Sequence, residues 1–170
     1  MNKVYLVGFM GSGKSAIGKR LSTLLDIPFY DMDAEIVTRT GMTIPQIFET
    51  YGEPKFREME TEFLREFPDE FCIIATGGGV AMRAENREIM RQTGLVFYLN
   101  STFRDIWRRV STDTNRPIVQ RSSRGDLEAL FLKRKPLYLQ SAHIRVETTN
   151  RSLNDITQYI GFQVLRLKNG

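Results

Sequence analysis

The sequence predicts an α/β domain: a parallel sheet of five strands with helices stacked on both faces, giving three layers. Three observations lead there. Short apolar runs alternate with longer segments of helical period, the pattern left by successive strand–helix–strand units. The runs are rich in β-branched and aromatic residues and too short for helices. The chain has 170 residues, 41% of them hydrophobic and 26% charged, which suits one domain with a core of its own.

In chain order the strands are expected at Val4–Val7, Phe29–Tyr30 with its flanks, Phe71–Ala75, Leu95–Leu99 and Ile144–Val146. Between them, Ala16–Leu25 places Ile17, Leu21, Leu24 and Leu25 on one helical face, and Glu85–Gln92, Phe103–Val110, Leu127–Leu139 and Ser152–Leu165 have the same character. Right-handed crossovers then put helices on both sides of the sheet. The interval after the second strand is too long for one crossover. Over about 32–67 it offers helical pieces at Ala34–Thr38, Ile44–Tyr51 and Lys55–Phe67, punctuated by Gly41, Pro45, Gly52 and Pro54. A small helical subdomain over one end of the sheet is expected there. Ser111–Gly125 is polar, carries three arginines and lacks apolar period, so it reads as a mobile loop.

Composition removes several classes. The longest apolar stretches are about five residues, against the roughly 20 needed to cross a bilayer. Met1–Lys3 runs straight into the first strand, which leaves no room for an export leader. One cysteine, Cys72, cannot form an intrachain disulfide, and with a single histidine there is no zinc cluster, so a cytoplasmic protein is expected. The net charge of +4 fits either a polyanion or a small anionic substrate. The arginines are scattered among separate motifs rather than lining one face with interleaved aromatics, which argues against nucleic acid. His143 is expected to be a strand residue without catalytic partners.

Gly8–Ser15, GFMGSGKS, follows a strand and opens a helix, and its pattern is that of a loop for nucleotide phosphates. Its glycines let successive N–H groups form a concave cradle, to which the helix N-terminus adds partial positive charge. Lys14 suits the β and γ phosphates and the Ser15 hydroxyl suits Mg²⁺. Asp31 and Asp33 fall at the end of the second strand, on the edge where ligands bind in parallel sheets; either could instead cap the following helix. Arg57, with Glu60 three residues on, could hold a carboxylate or belong to a solvated helix face. Gly77-Gly78-Gly79 could bring bare backbone to a ligand or be a loose turn. Arg116 and Arg134 complete the basic candidates.

Taken in order, GFMGSGKS, DMD, FREME, TGGG after an apolar strand, RP in a loop, and RKPLY resemble the shikimate kinase family from about Val4 to about Ile160. The resemblance implies a nucleoside-monophosphate-kinase-like P-loop fold with strand order 2-3-1-4-5, and transfer of the γ-phosphoryl of ATP to the 3-hydroxyl of shikimate in aromatic amino-acid synthesis. Carried over by residue, Gly11, Ser12, Gly13, Lys14, Ser15 and Ala16 would hold ATP phosphates, with Mg²⁺ on Ser15 and Asp31. Asp33 would take the acceptor hydroxyl. Arg57 and Arg134 would grip the shikimate carboxylate, Glu60 would support them, and Gly78 and Gly79 would lie against the ligand. Arg116 would close from a lid at about 111–125, with Lys14 and Asp33 as the other catalytic groups. Arg109 and Arg151 would contact the nucleotide, and a monomer is the default.

The sequence departs from the family pattern in two places. Ala16 stands where the family usually has Thr, and the loop from Val146 to Leu153 lacks the family's proline. Another small-molecule kinase of the same fold, acting on gluconate or a nucleoside monophosphate, is the nearest rival; two arginines beside Asp33 favour a small hydroxylated acid over a second nucleotide.

Overall fold

The computed structural model describes residues 2–112 and 122–169. Its five strands, β1 (Lys3–Val7), β2 (Phe29–Asp31), β3 (Cys72–Ala75), β4 (Gly94–Asn100) and β5 (Ile144–Glu147), are all parallel and lie in the order β2-β3-β1-β4-β5. Every residue of β1 is buried, as expected of a central strand covered on both faces. Phe71, expected to open the third strand, precedes it; the ladder with β1 begins at Cys72, opposite Lys3. Register places Asp31 opposite Ala75 and Ala75 opposite Leu6. The turns that follow β1, β2 and β3 therefore leave from one edge.

Among the described residues there are eight α-helices. α1 (Lys14–Leu25) and α8 (Leu153–Lys168) cover one face, where Ile17 and Leu21 meet Ile156, Ile160 and Val164 over Val4, Leu6 and Phe97. The alternate strand residues Tyr5, Val7, Ile74 and Tyr98 face the other core, shared with α2 (Met32–Thr40), α3 (Ile44–Tyr51), α4 (Glu53–Glu66), α5 (Ala84–Thr93), α6 (Phe103–Val110) and α7 (Arg124–Ser141).

The expected subdomain is α2, α3 and α4, three short helices in place of one long one. Asp31 caps α2, and Gly41 ends it in the left-handed conformation, at φ 67°. Thr43 and Gln46 form a capping box for α3, with Pro45 in its first turn. The polar loop expected over 111–125 is shorter at its far end, because Ser123 and Asp126 form a second capping box and α7 begins at Arg124. Residues 113–121 of that segment, Arg116 included, lie outside the described residues. No helix among the described residues is long and apolar enough to cross a membrane.

His143 differs from expectation: it stands one residue before β5, and its side chain extends the ladder. Its backbone N–H donates to the Val96 carbonyl at 2.8 Å, while Nδ1 accepts from the Val96 N–H at 3.0 Å. A ring that accepts at Nδ1 must be neutral there. Burial, with Arg91 adding, holds its pKa below the ordinary 6.5. As pH falls below 6.5 the unfolded chain binds this proton first, so the contribution is present above that value and is lost on acidification. We expect the unfolding midpoint in urea to drop less between pH 7.5 and 5.5 in His143→Gln than in the unaltered chain; equal drops would refute the assignment.

Candidate active site

At the end of β1 the backbone turns through Gly11 and Gly13, at φ 74° and 95°, a region that side chains rarely enter. α1 opens at Lys14, two residues earlier than its apolar period indicates. The Lys14 ammonium donates to the carbonyls of Gly8 (2.6 Å) and Phe9 (3.0 Å) and so lies across the loop. From α6, Arg109 Nη1 donates to the Gly11 carbonyl at 2.9 Å. Gly11, Gly13, Lys14, Ser15, Ala16 and Arg109 all line a cavity of about 670 Å³. Ser12 does not: its N–H donates to Phe9 and its hydroxyl is buried within the loop.

The two readings of the DMD carboxylates resolve differently. Asp31 caps α2 and also lines the cavity: one oxygen accepts from Ala34 N–H and the other accepts from the Ser15 hydroxyl at 2.6 Å. Asp33, in the first turn of the same helix, lines the cavity. A methyl group on Gly77 would stand 3.0 Å from Asp33 Oδ1 and 2.6 Å from Glu60 Oε2, so both carboxyls lean on that one glycine.

The other two glycines of the turn receive the arginines. A side chain on Gly79 would overlap the Arg57 guanidinium, and one on Gly78 would stand 3.6 Å from Arg134 Nη1. The triple glycine is thus a surface against which four charged side chains pack, and the loose-turn reading falls. Arg57 is 14% exposed and forks between Glu60 Oε1 (2.6 Å) and Glu53 Oε1 (3.1 Å). Glu60 is fully buried. Burial pushes its carboxyl up to about 7, with Arg57 pulling it down and Asp33 adding to the rise. Arg134, 5% exposed, has no carboxylate within ion-pair distance among the described residues, and its Nε has no acceptor. A buried guanidinium in that state calls for an anion.

Of the residues expected at the site, the cavity gathers Gly11, Gly13, Lys14, Ser15, Ala16, Asp31, Asp33, Arg57, Gly78, Gly79, Arg109 and Arg134. Arg151 lies outside its lining: its guanidinium sits 5.4 Å from the Tyr159 ring centroid and donates to the Glu147 carbonyl at 3.1 Å. Of the apolar wall, Met10 and Phe56 stand within GFMGSGKS and FREME without a role of their own, while Ile44, Pro45 and Phe48 escape motif reading. The signal of those three is the helical period of α3, which reads equally as core packing. Tyr138, whose hydroxyl donates to the Gly78 carbonyl at 2.5 Å, is visible in the sequence only as part of RKPLY.

The family model described as shikimate kinase matches residues 10–164. The shikimate kinase of Nitrosospira multiformis is 45% identical over 163 residues, 95% of this chain and 84% of that protein. A solved structure of shikimate kinase from Acinetobacter baumannii in complex with shikimate superposes with a TM-score of 0.92 at 40% identity, covering 99% of this chain and 95% of that one. A gluconokinase from Sinorhizobium meliloti reaches only 0.55 at 15% identity, which extends the likeness of fold and nothing more. A model match spanning nine tenths of the sequence, together with relatives of this closeness, decides between the kinases that the phosphate loop alone leaves open: the chain belongs to the shikimate kinase family.

Proposed function

We propose that the chain phosphorylates the 3-hydroxyl of shikimate with ATP, and that the site residues act as follows. The observation that carries this reading is the buried Arg134, whose Nε has no hydrogen-bond acceptor, lining the same cavity as Asp33 and the phosphate loop. Arg134 and Arg57 take the carboxylate of the acceptor, where planar guanidinium forks suit a planar anion. Asp33 orients the 3-hydroxyl and receives its proton as the new O–P bond forms and the bond to the leaving β-phosphate oxygen breaks, releasing ADP. Because the transition state is loose, placement matters more than base strength. Lys14 leaves its loop carbonyls for the transferring group, and the backbone of Gly11–Gly13 cradles the other phosphates.

The donor set suits Mg²⁺: the Ser15 hydroxyl and the Asp31 carboxylate are adjacent hard oxygens at the cavity edge. When bound there, the ion neutralises charge on the β and γ phosphates. Arg109, already on the phosphate loop, is assigned to the nucleotide. Arg116 is assigned by the family motif to the closing segment at about 111–125, and α2–α4 to the acceptor side of a single kinase domain. Arg151 keeps a nucleotide role only through the loop it braces at Glu147. A lone free cysteine fits the cytoplasm, and a monomer is the default assignment.

The test is a coupled ADP-release assay with shikimate, gluconate and AMP side by side, joined to calorimetric titration of shikimate with and without an unreactive ATP analogue. Turnover confined to shikimate is expected; preference for gluconate or AMP would overturn the assignment.

A further inference from the structure

We propose that Tyr138 is a positioning residue for the acceptor half of the site: its phenol ties α7 to the carbonyl of Gly78 and thereby sets the spacing between the Arg134 and Arg57 guanidinium groups. This rests on the carboxylate-binding role assigned to those arginines in the preceding section.

Tyr138 is fully buried, one helical turn after Arg134 and on the same face of α7. Its ring is held from behind by Tyr98 of the central sheet, stacked at 5.4 Å between centroids and 29° between planes. Its hydroxyl donates to the Gly78 carbonyl at 2.5 Å. On either side the turn closes on itself, with Val80 N–H on the Gly77 carbonyl (3.2 Å) and Met82 N–H on the Gly79 carbonyl (3.1 Å). The central carbonyl is the one joined to another element.

That junction has consequences for every charged group around the turn. Gly78 faces Arg134 Nη1, Gly79 backs the Arg57 guanidinium, and Gly77 backs Glu60 and Asp33. Arg134 also acts on the phenol directly: burial pushes the Tyr138 hydroxyl pKa up, while the charge of Arg134 and a hydrogen bond to it pull the other way. One hydroxyl thus links the helix carrying Arg134 to the backbone on which Arg57 lies. Without it the part-buried Gly78 carbonyl loses its donor and the turn loses its tie to α7, so the turn can move and the two guanidinium groups no longer meet one carboxylate at the same distance.

The test is steady-state kinetics of Tyr138→Phe, which keeps the stacked ring and removes the oxygen. We expect the KM for shikimate to rise about tenfold while the KM for ATP and kcat at saturation stay within about twofold. In an Arg134→Lys background the same substitution should add less than about twofold to that KM, because the fork it aligns is already gone. Tyr98→Phe, which takes a hydroxyl from the other ring of the stack, should leave the shikimate KM unchanged. An unchanged shikimate KM in Tyr138→Phe, an undiminished effect beside Arg134→Lys, or a fall of kcat with both KM values rising together would overturn the proposal. So would a Tyr138→Phe chain that does not fold, since the hydroxyl would then serve stability alone. Inability of the unaltered chain to phosphorylate shikimate would instead strike the functional reading itself.

Discussion

Asp33→Asn is expected to lower kcat by about 10² or more while leaving the dissociation constant for ATP within about twofold. The substitution keeps size and removes the ability to take a proton. Its interpretation is unusually clean because the neighbouring carboxylate has the structural tasks: Asp31 caps α2 through Ala34 N–H and accepts from Ser15. Exchanging Asp33 therefore costs no helix cap and leaves the hydrogen bond between Ser15 and Asp31 in place. One secondary effect is predictable in sign. Asp33 contributes to the rise of the Glu60 pKa, so an uncharged residue there lets Glu60 ionise at lower pH. A lower kcat with unchanged ATP affinity and an unchanged unfolding midpoint assigns Asp33 to the transfer step; an unchanged kcat removes it.

Most of this candidate site is legible in the sequence because its residues fall in short contiguous motifs on turns at one sheet edge. GFMGSGKS names its own backbone shape, and the order of strands places DMD and TGGG beside it. What motifs did not supply were relations between residues far apart in sequence. That Gly79 backs Arg57, or that Tyr138 reaches Gly78 across 60 positions, depends on how α4 and α7 pack over the turn. The alternatives left open by local spacing turn on the same long-range relations. Arg57 has the i,i+3 carboxylate typical of an inconsequential surface pair, but Glu60 is fully buried and the pair lines the cavity. The apolar wall from α3 was illegible for a simpler reason: Phe48 and Ile44 face the cavity with the same helical period that would bury them in a core. Arg151 shows how little a position in the chain says about side-chain placement: its guanidinium stands outside the cavity lining, against the Tyr159 ring and the Glu147 carbonyl.

Arg57→Ala is expected to weaken shikimate binding by about 1.5–3 kcal/mol, roughly 10- to 150-fold in dissociation constant, through loss of charge-assisted hydrogen bonds to the carboxylate. Calorimetry measures this directly, and an unchanged constant would leave Arg134 as sole anchor and place Arg57 in a purely structural pair with Glu53 and Glu60. Removing one member of a buried ion pair ordinarily strands the other as an uncompensated charge. Here the stranded group can neutralise itself. Burial already holds the Glu60 carboxyl at about 7, and the attraction of Arg57 is what keeps it from rising further. In Arg57→Ala that attraction is gone, so at pH 6.5 Glu60 carries its proton and adds no negative charge beside the anionic ligand. Adding Glu60→Gln to Arg57→Ala should therefore change shikimate affinity at pH 6.5 by less than about twofold, whereas at pH 8.5 the double variant should bind as well as or better than the single one. A large further loss at pH 6.5 would mean that Glu60 remains ionised without its arginine, and that burial does not govern its charge.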